Sequence, residues 1–205
     1  MKKDYQIILN PNENEINKVV EIHLSTFKGL FLTFLGRGFL KNLYAGFLEH
    51  NFSELMLITT NNDVIGFIAY SENISAFYKW LLKNKFFQFL WYSFLASIRS
   101  PKASIRLLRA LFYPQKSRSN ESYVELSSIG IHPNYKNQGF GSALISEFIK
   151  RQNFSEIDYI KLTTDSIDND LANTFYKKNG FKLYSTFTTP EGRKMNEYRY
   201  YEEKI

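Results

Sequence analysis

The chain has 205 residues, is 44% hydrophobic and carries 26 Lys and Arg against 20 Asp and Glu, for a net charge of +6. That apolar content is ample for one buried core and predicts a single domain over 1–205, while the basic balance favours anionic ligands or surfaces. The absence of cysteine excludes thiol nucleophiles, disulfides and cysteine-ligated metal sites, and His23, His50 and His132 are too scattered for a metal cluster, so no metal is expected. No nucleic-acid motif accompanies the charge, and the apolar run after Met1-Lys2-Lys3 is too short for a signal peptide, which points to a cytoplasmic protein with no nucleic-acid partner.

Residues 5–9 read as a strand stopped by Asn10-Pro11-Asn12. Ile16, Val19, Val20, His23 and Leu24 recur at helical spacing, predicting a helix over 13–27 with Asn12 as cap and Glu15 in capping-box position. Phe39, Leu40, Leu43, Tyr44 and Phe47 predict a second helix over 36–50. The apolar link before it, 29–38, suits either core packing or a pocket wall. Residues 55–60 and 64–70 are β-prone arms around Asn61-Asn62-Asp63, a hairpin.

The pattern changes between 72 and 121. Residues 77–98 are rich in aromatics with Lys79, Lys83, Lys85 and Arg99 nearby, and 104–112 carry Arg106 and Arg109 among leucines. Two basic amphipathic helices broken at Ser100-Pro101 are expected, then a loop over 115–121. The uncharged run 86–98 is too short to span a bilayer, which takes about 20 apolar residues. A strand over 123–131, a helix from Ala143 to Arg151, a strand over 159–164 and a helix over 169–179 ended by Gly180 follow. Strands at 181–187 and 197–201 close the chain around Pro190-Glu191-Gly192.

Between the strand ending at Ile131 and the helix lies a glycine loop, and strand, glycine loop, helix start is an anion-binding order of parts. Gly139 and Gly141 lack a Cβ, so the backbone there can approach a phosphate or pyrophosphate, facing it with the unpaired first amides of the helix. A surface turn opening a helix is the plainer reading. A P-loop is rejected because Gly141-Ser142-Ala143 has no lysine, and a dinucleotide fingerprint because Leu144 stands at its last small position.

The run His132-Pro133-Asn134-Tyr135-Lys136-Asn137-Gln138-Gly139-Phe140-Gly141 resembles the acyl-CoA pyrophosphate loop of the GNAT superfamily of N-acyltransferases, Gln/Arg-x-x-Gly-x-Gly/Ala, with Lys136 at the Gln/Arg position. Asn169-Asp170-Leu171-Ala172-Asn173-Thr174-Phe175-Tyr176-Lys177-Lys178-Asn179-Gly180-Phe181 is similar to the same family's Asn-x-x-Ala-x-x-Phe-Tyr-x-Lys-x-Gly-Phe segment. The resemblance covers 123–188 well, the first seventy residues loosely and the middle not at all. It implies an α/β fold with a mixed, mostly antiparallel central sheet flanked by helices, the 72–121 segment being a helical insertion before the cofactor-binding strand.

The resemblance further implies acetyl-CoA as co-substrate, held by Ile129, Gly130 and Ile131 of the strand, by Lys136, Asn137, Gln138, Gly139, Phe140, Gly141 and Ser142 of the loop, and by Asn169, Ala172 and Lys178. A backbone amide near Ile129 would face the thioester carbonyl. Tyr176 matches the tyrosine that protonates the leaving thiolate in many members; its plainer role is to pack a helix on the sheet. Glu125 stands where some members place a general base, and, separately, a mid-strand carboxylate is costly to bury without partners. An exposed carboxylate or an ion pair is the alternative, as Asn169 could equally be a helix cap and Lys178 a solvated lysine.

The implied activity is acetyl transfer to the primary amine of a small acceptor by direct attack, an amino sugar being one candidate and protein or peptide amines another. A CoA-binding regulatory or adaptor domain is the reading from a different class. The apolar surface of the insertion must be covered by the acceptor cleft, by a second copy in a homodimer, or by a membrane surface in peripheral contact. The cleft is expected, because the insertion leads straight into the strand bearing Glu125.

Overall fold

The computed structural model describes residues 4–27, 31–99, 121–190 and 192–202. The expected helix over 104–112 lies outside them, as does most of the loop after it. In chain order the elements are β1 (Gln6–Ile8), α1 (Glu13–Thr26), α2 (Phe31–Phe34), α3 (Gly36–Glu49), β2 (Ser53–Thr60), β3 (Asp63–Ser71) and α4 (Ile74–Arg99). After these come β4 (Tyr123–Ile131), a 3-10 turn (Pro133–Tyr135), α5 (Phe140–Lys150), β5 (Tyr159–Asp165), α6 (Asp170–Lys178), β6 (Lys182–Thr188) and β7 (Lys194–Tyr200).

Local chemistry explains the first elements. Asn12 Oδ1 accepts from the amides of Asn14 (2.9 Å) and Glu15 (3.1 Å) while Glu15 Oε2 accepts from the Asn12 amide (2.7 Å), a complete capping box. The stripe Ile16, Val19, Val20 and His23 is buried behind it. The β2–β3 hairpin turns through Asn61 (φ 49°) and Asn62 (φ 64°), two successive left-handed residues whose backbone twist matches that of the strands they join.

The strands form one seven-stranded sheet in the order β1-β2-β3-β4-β5-β7-β6. Every neighbouring pair is antiparallel except β4–β5, so the sheet is mixed and mostly antiparallel as expected. Its two faces carry separate cores. Leu55, Leu57, Phe67 and Ala69 pack with α1, α3 and the start of α4, whereas Met56, Ile58, Ile68, Val124, Leu126 and Ile160 pack with α5 and α6. Strands covered on both sides read as near-continuous apolar runs, which is why 55–58 lack polar alternation. Each fully buried Leu or Phe among them contributes about 1.5–3 kcal/mol.

Two features place the functional region. Parallel pairing of β4 with β5 covers Tyr123, Val124 and Glu125 opposite Tyr159, Ile160 and Lys161, and beyond these pairs the strands part. On its other edge β4 stays paired with β3 to Ile131, with a register shift that leaves Ser127 as an extra, bulged residue. Helix α4 has a kink at Lys85 (φ −118°, ψ 15°) that the sequence reading did not include, while the expected break at Ser100-Pro101 lies outside the described residues.

Asn12→Ala removes both bonds that the Asn12 side chain accepts and leaves only the one from the residue 12 backbone amide to Glu15 Oε2. The unfolding free energy should fall by about 1 kcal/mol, read from the urea midpoint at unchanged slope. A midpoint equal to that of the parent chain would mean that the capping box adds nothing to stability.

Candidate active site

The loop after β4 is tied down locally and left open toward solvent. His132 Nδ1 accepts from the Asn134 amide (3.3 Å), Gln138 Nε2 donates to the Asn134 carbonyl (2.9 Å), and the buried Phe140 ring meets Tyr135 edge-on at 6.1 Å. Asn137 (φ 59°) and Gly139 (φ 81°) take left-handed conformations, and Gly139 is the N-cap of α5. The helix therefore starts at Phe140, three residues ahead of the expected Ala143. Among the described residues the backbone amides of Gln138, Gly139, Gly141 and Ser142 have no protein acceptor. Lys136, Asn137, Gln138, Gly139 and Ser142 are exposed beside them. Free amides at the positive end of a helix dipole suit a phosphate oxygen.

Gly141 has a packing reason beside its free amide: a Cβ there would lie 3.2 Å from the Phe175 ring and 3.6 Å from Ile131 Cγ1, so its missing side chain also serves the packing of α5 on α6. Gly130 has a similar reason: a Cβ would come within 2.8 Å of Phe67 and 3.3 Å of Phe27. Ile129 and Ile131 pack into the α5/α6 core, and the Ile131 carbonyl accepts from Thr26 Oγ1 (3.1 Å). Past Glu125 the edge of β4 faces the gap to β5 instead of a strand.

Glu125 and Lys161 sit where the gap begins. Glu125 is 6% exposed, and its Oε2 lies 3.0 Å from Lys161 Nζ, whose ammonium is also 4.7 Å from the centre of the Tyr123 ring. The ion pair, rather than an exposed carboxylate, is thus what the strand holds. Burial pushes the Glu125 carboxyl above the usual range against the opposing pull of Lys161. Burial works against the charge of Lys161 too, but Glu125 and Tyr123 hold its pKa above that of an ordinary lysine. Tyr78 reaches this point from α4: burial and the Glu125 charge raise its pKa, and a hydrogen bond to Ser127 opposes them.

The second segment lies on α6. Tyr176 is buried among Phe175, Phe181 and Tyr198, and burial pushes its hydroxyl up to about 12. Among the described residues that hydroxyl has no hydrogen-bond partner, so both its proton and its lone pairs are uncommitted. Asn169 begins the helix without capping it; its side-chain amide donates to Thr164 Oγ1 (2.7 Å) and more weakly to the Asp165 carbonyl (3.4 Å). Ala172 packs half-buried against the core, and Lys178 is exposed. Asn173 fixes α6 to the sheet: it donates to the carbonyls of Asp165 and Asn169 and accepts from Asn196 Nδ2 and the Tyr198 hydroxyl.

Sequence reasoning missed Lys161, Tyr78, Ser127 and a buried relay in which His23 Nδ1 meets the Tyr44 hydroxyl (2.6 Å), itself 3.5 Å from Ser128 Oγ. Burial holds the His23 pKa down at about 4, so the ring is neutral at physiological pH. The available signal was Ser127-Ser128 in the middle of an apolar strand. The structure gathers Glu125, Ile129–131 and the glycine loop along β4 and its continuation. A polar hollow of about 220 Å³ lined by Glu54, Tyr70 and Arg151 also adjoins β4, but at Tyr123 and Val124, the end of the strand away from the glycine loop.

Residues 109–183 match the family model described as Acetyltransferase (GNAT) domain. No curated protein matches the sequence. In fold the chain is similar to a protein from Desulfovibrio desulfuricans assigned to the GNAT family (TM-score 0.65, 14% identity, covering 97% of this chain and 99% of that one). It is also similar to an Escherichia coli N-acetyltransferase of a ribosomal-protein alanine (0.58, 12%, 98% and 99%). A third is the PaiA N-acetyltransferase of Thermoplasma acidophilum in complex with coenzyme A (0.57, 14%, 97% and 100%).

Lys161→Met leaves Glu125 buried without its counter-charge, a change that costs about 3–5 kcal/mol. The folded-state pKa of Glu125, raised by burial, then rises further, so the folded state binds more protons than the unfolded one above the usual value of about 4.3. Stability of the variant should therefore fall as pH rises from there and level off above the folded-state pKa. Glu125→Gln added to Lys161→Met should recover most of the loss and remove the slope. Equal urea midpoints for Lys161→Met and the parent chain at neutral pH would show that the pair is energetically idle.

Proposed function

We infer, from the match of residues 109–183 to the GNAT acetyltransferase domain model and from the fold shared with GNAT-family structures, that this chain moves an acetyl group from acetyl-CoA to the primary amine of a small acceptor by direct attack. The observation that carries the reading is the set of free backbone amides of Gln138, Gly139, Gly141 and Ser142 among the described residues, at the end of the strand that parts from β5. One continuous stretch thus supplies donors for a pyrophosphate and an unpaired strand edge along which an extended arm can lie. Lys136 adds an exposed cation beside the amides, and the same arrangement suits the co-substrate's phosphates whichever acceptor is used.

The chemistry needs a neutral amine, donors for charge developing on the thioester oxygen, and a proton for the departing thiolate. We assign the donor to the β4 backbone near Ile129. Tyr176 supplies the proton: its hydroxyl stays protonated throughout the neutral range and is otherwise unbonded. A phenol near 12 is a weaker acid than a thiol of ordinary pKa about 8.5, so full transfer is uphill unless a proton returns as it leaves. Net, the amine loses one proton and the CoA sulfur gains one. We assign receipt of the amine's proton to Glu125, buried where the gap begins, with Lys161 holding it in place and Tyr78 beside it.

The engagement of Glu125 by Lys161 at 3.0 Å favours a second reading, a CoA-binding adaptor domain without turnover. Release of free CoA across a panel of amino sugars, polyamines, amino acids and peptides separates the two. Turnover with one class names the acceptor, an amino sugar being the first candidate; tight CoA binding with no turnover on any class supports the adaptor.

Ser142→Glu tests the loop without straining it. The new carboxylate sits exposed in the first turn of α5, where the dipole favours it by about 0.3–1 kcal/mol. Stability should hold or rise, whereas CoA affinity should fall at least tenfold, about 1.4 kcal/mol. An unchanged calorimetric Kd would remove the loop from the cofactor site.

Tyr176→Phe keeps the packing volume and deletes only the hydroxyl. The turnover number should fall by roughly 10²–10⁴ with CoA affinity preserved. A turnover number within about twofold of the parent's, far short of a general-acid effect, would leave Tyr176 as a packing residue.

A further inference from the structure

Helix α4 has two faces of different character. Ile74, Phe77 and Leu81 are buried against the body of the fold, and Lys85 closes that stripe with an ion pair to Glu49 at 2.7 Å. Lys79 and Lys83 stand four residues apart on the first part of the helix, and Phe86 and Phe87 follow directly after the Lys85 kink. All four are exposed, Phe87 by 81%, with the two phenyl rings edge-on to each other at 5.6 Å. Neither lysine has an acidic partner among the described residues.

Charge is segregated in the same place. Between Glu72 and Glu121 the sequence has nine Lys and Arg and no Asp or Glu, leaving 17 basic residues against 20 acidic ones elsewhere. An exposed aromatic pair flanked by unpaired lysines asks for an apolar partner that carries negative charge. A second copy meets only half of that requirement. In a two-fold contact the same patch faces itself, and this segment has no acid to offset the lysines brought together.

We propose that the Lys79, Lys83, Phe86 and Phe87 face of α4 docks on an anionic membrane surface. The phenyl rings enter the boundary between headgroups and acyl chains, and the two ammonium groups meet lipid phosphates. No described helix is long and apolar enough to cross a membrane, so the contact is an interfacial one.

Cosedimentation of the full chain with phosphatidylcholine vesicles containing phosphatidylglycerol, and with phosphatidylcholine alone, tests this. Binding is expected to the anionic vesicles only, and to weaken with added NaCl. Phe86→Ser with Phe87→Ser, and separately Lys79→Glu with Lys83→Glu, should each reduce it at least tenfold, with circular dichroism and CoA affinity unchanged because these side chains lie outside the core and the site. No binding to anionic vesicles, or equal binding by parent and variants, overturns the proposal. A dimer in sedimentation velocity that the Phe86, Phe87 variant converts to monomer also overturns it, since a second copy then covers the patch. Vesicle binding is read without catalysis, so failure here leaves the acetyltransferase reading untouched.

Discussion

The parting of β4 from β5 is the constraint on which the rest of the molecule depends. Each strand is held on its outer edge, β4 by β3 as far as Ile131 and β5 by β7 as far as Asp165, while their shared ladder stops at Glu125 and Lys161. Peptide groups on the inner edges beyond that point have no strand partner, and a dry, unpaired backbone group is costly. The gap must therefore be filled by water or by an extended ligand that presents polar groups of its own. The Ser127 bulge increases local twist as it disrupts the ladder, and it falls close to the residue at which the strands diverge.

The same parting gives Glu125 and Lys161 their meaning. Their register across the last parallel pair brings the ammonium to the carboxylate, and both are taken out of water together. Such a pair adds little net stability compared with a well-packed apolar alternative, but losing one partner is expensive. It fixes the register at the vertex of the gap, where a slip of one residue would exchange the side chains presented to the two faces of the sheet. Asn173 does the corresponding work for α6: with both donors and its acceptor satisfied, it holds the helix bearing Tyr176 against β7.

What could be read from sequence was what short-range chemistry determines. The capping box at Asn12 and Glu15, the Asn61-Asn62 hairpin and the loop at Gly139 are all specified within a few residues, and each was legible. The packing reason for Gly141 was not, because it answers to Phe175, a neighbour only in the fold. Nor was Lys161: a lysine in a strand looks exposed until the register sets it against Glu125. Asn169 carried the right residue type for a cap, yet its side chain turns to Thr164. The α4 kink at Lys85 had neither proline nor glycine to announce it, and the ion pair to Glu49 at that residue appears only once α3 and α4 are packed.

Burial sets the charge state of the whole region. The His23 ring is kept neutral with a pKa of about 4, Tyr176 keeps its proton to about 12, and the Tyr44 and Tyr78 hydroxyls are raised as well. Near the vertex of the gap the formal charges are thus those of Glu125 and Lys161, with Glu197 and Arg199 beside them on the next strand. An ammonium ion entering that place would have to leave water, where its charge is well solvated, for a site where Lys161 and Arg199 already pair with Glu125 and Glu197. That environment favours loss of the ammonium proton before attack, and attack requires the free amine. Desolvation by the fold therefore acts in the same direction as the proposed reaction, shifting the acceptor toward its nucleophilic form without any residue having to be a strong base.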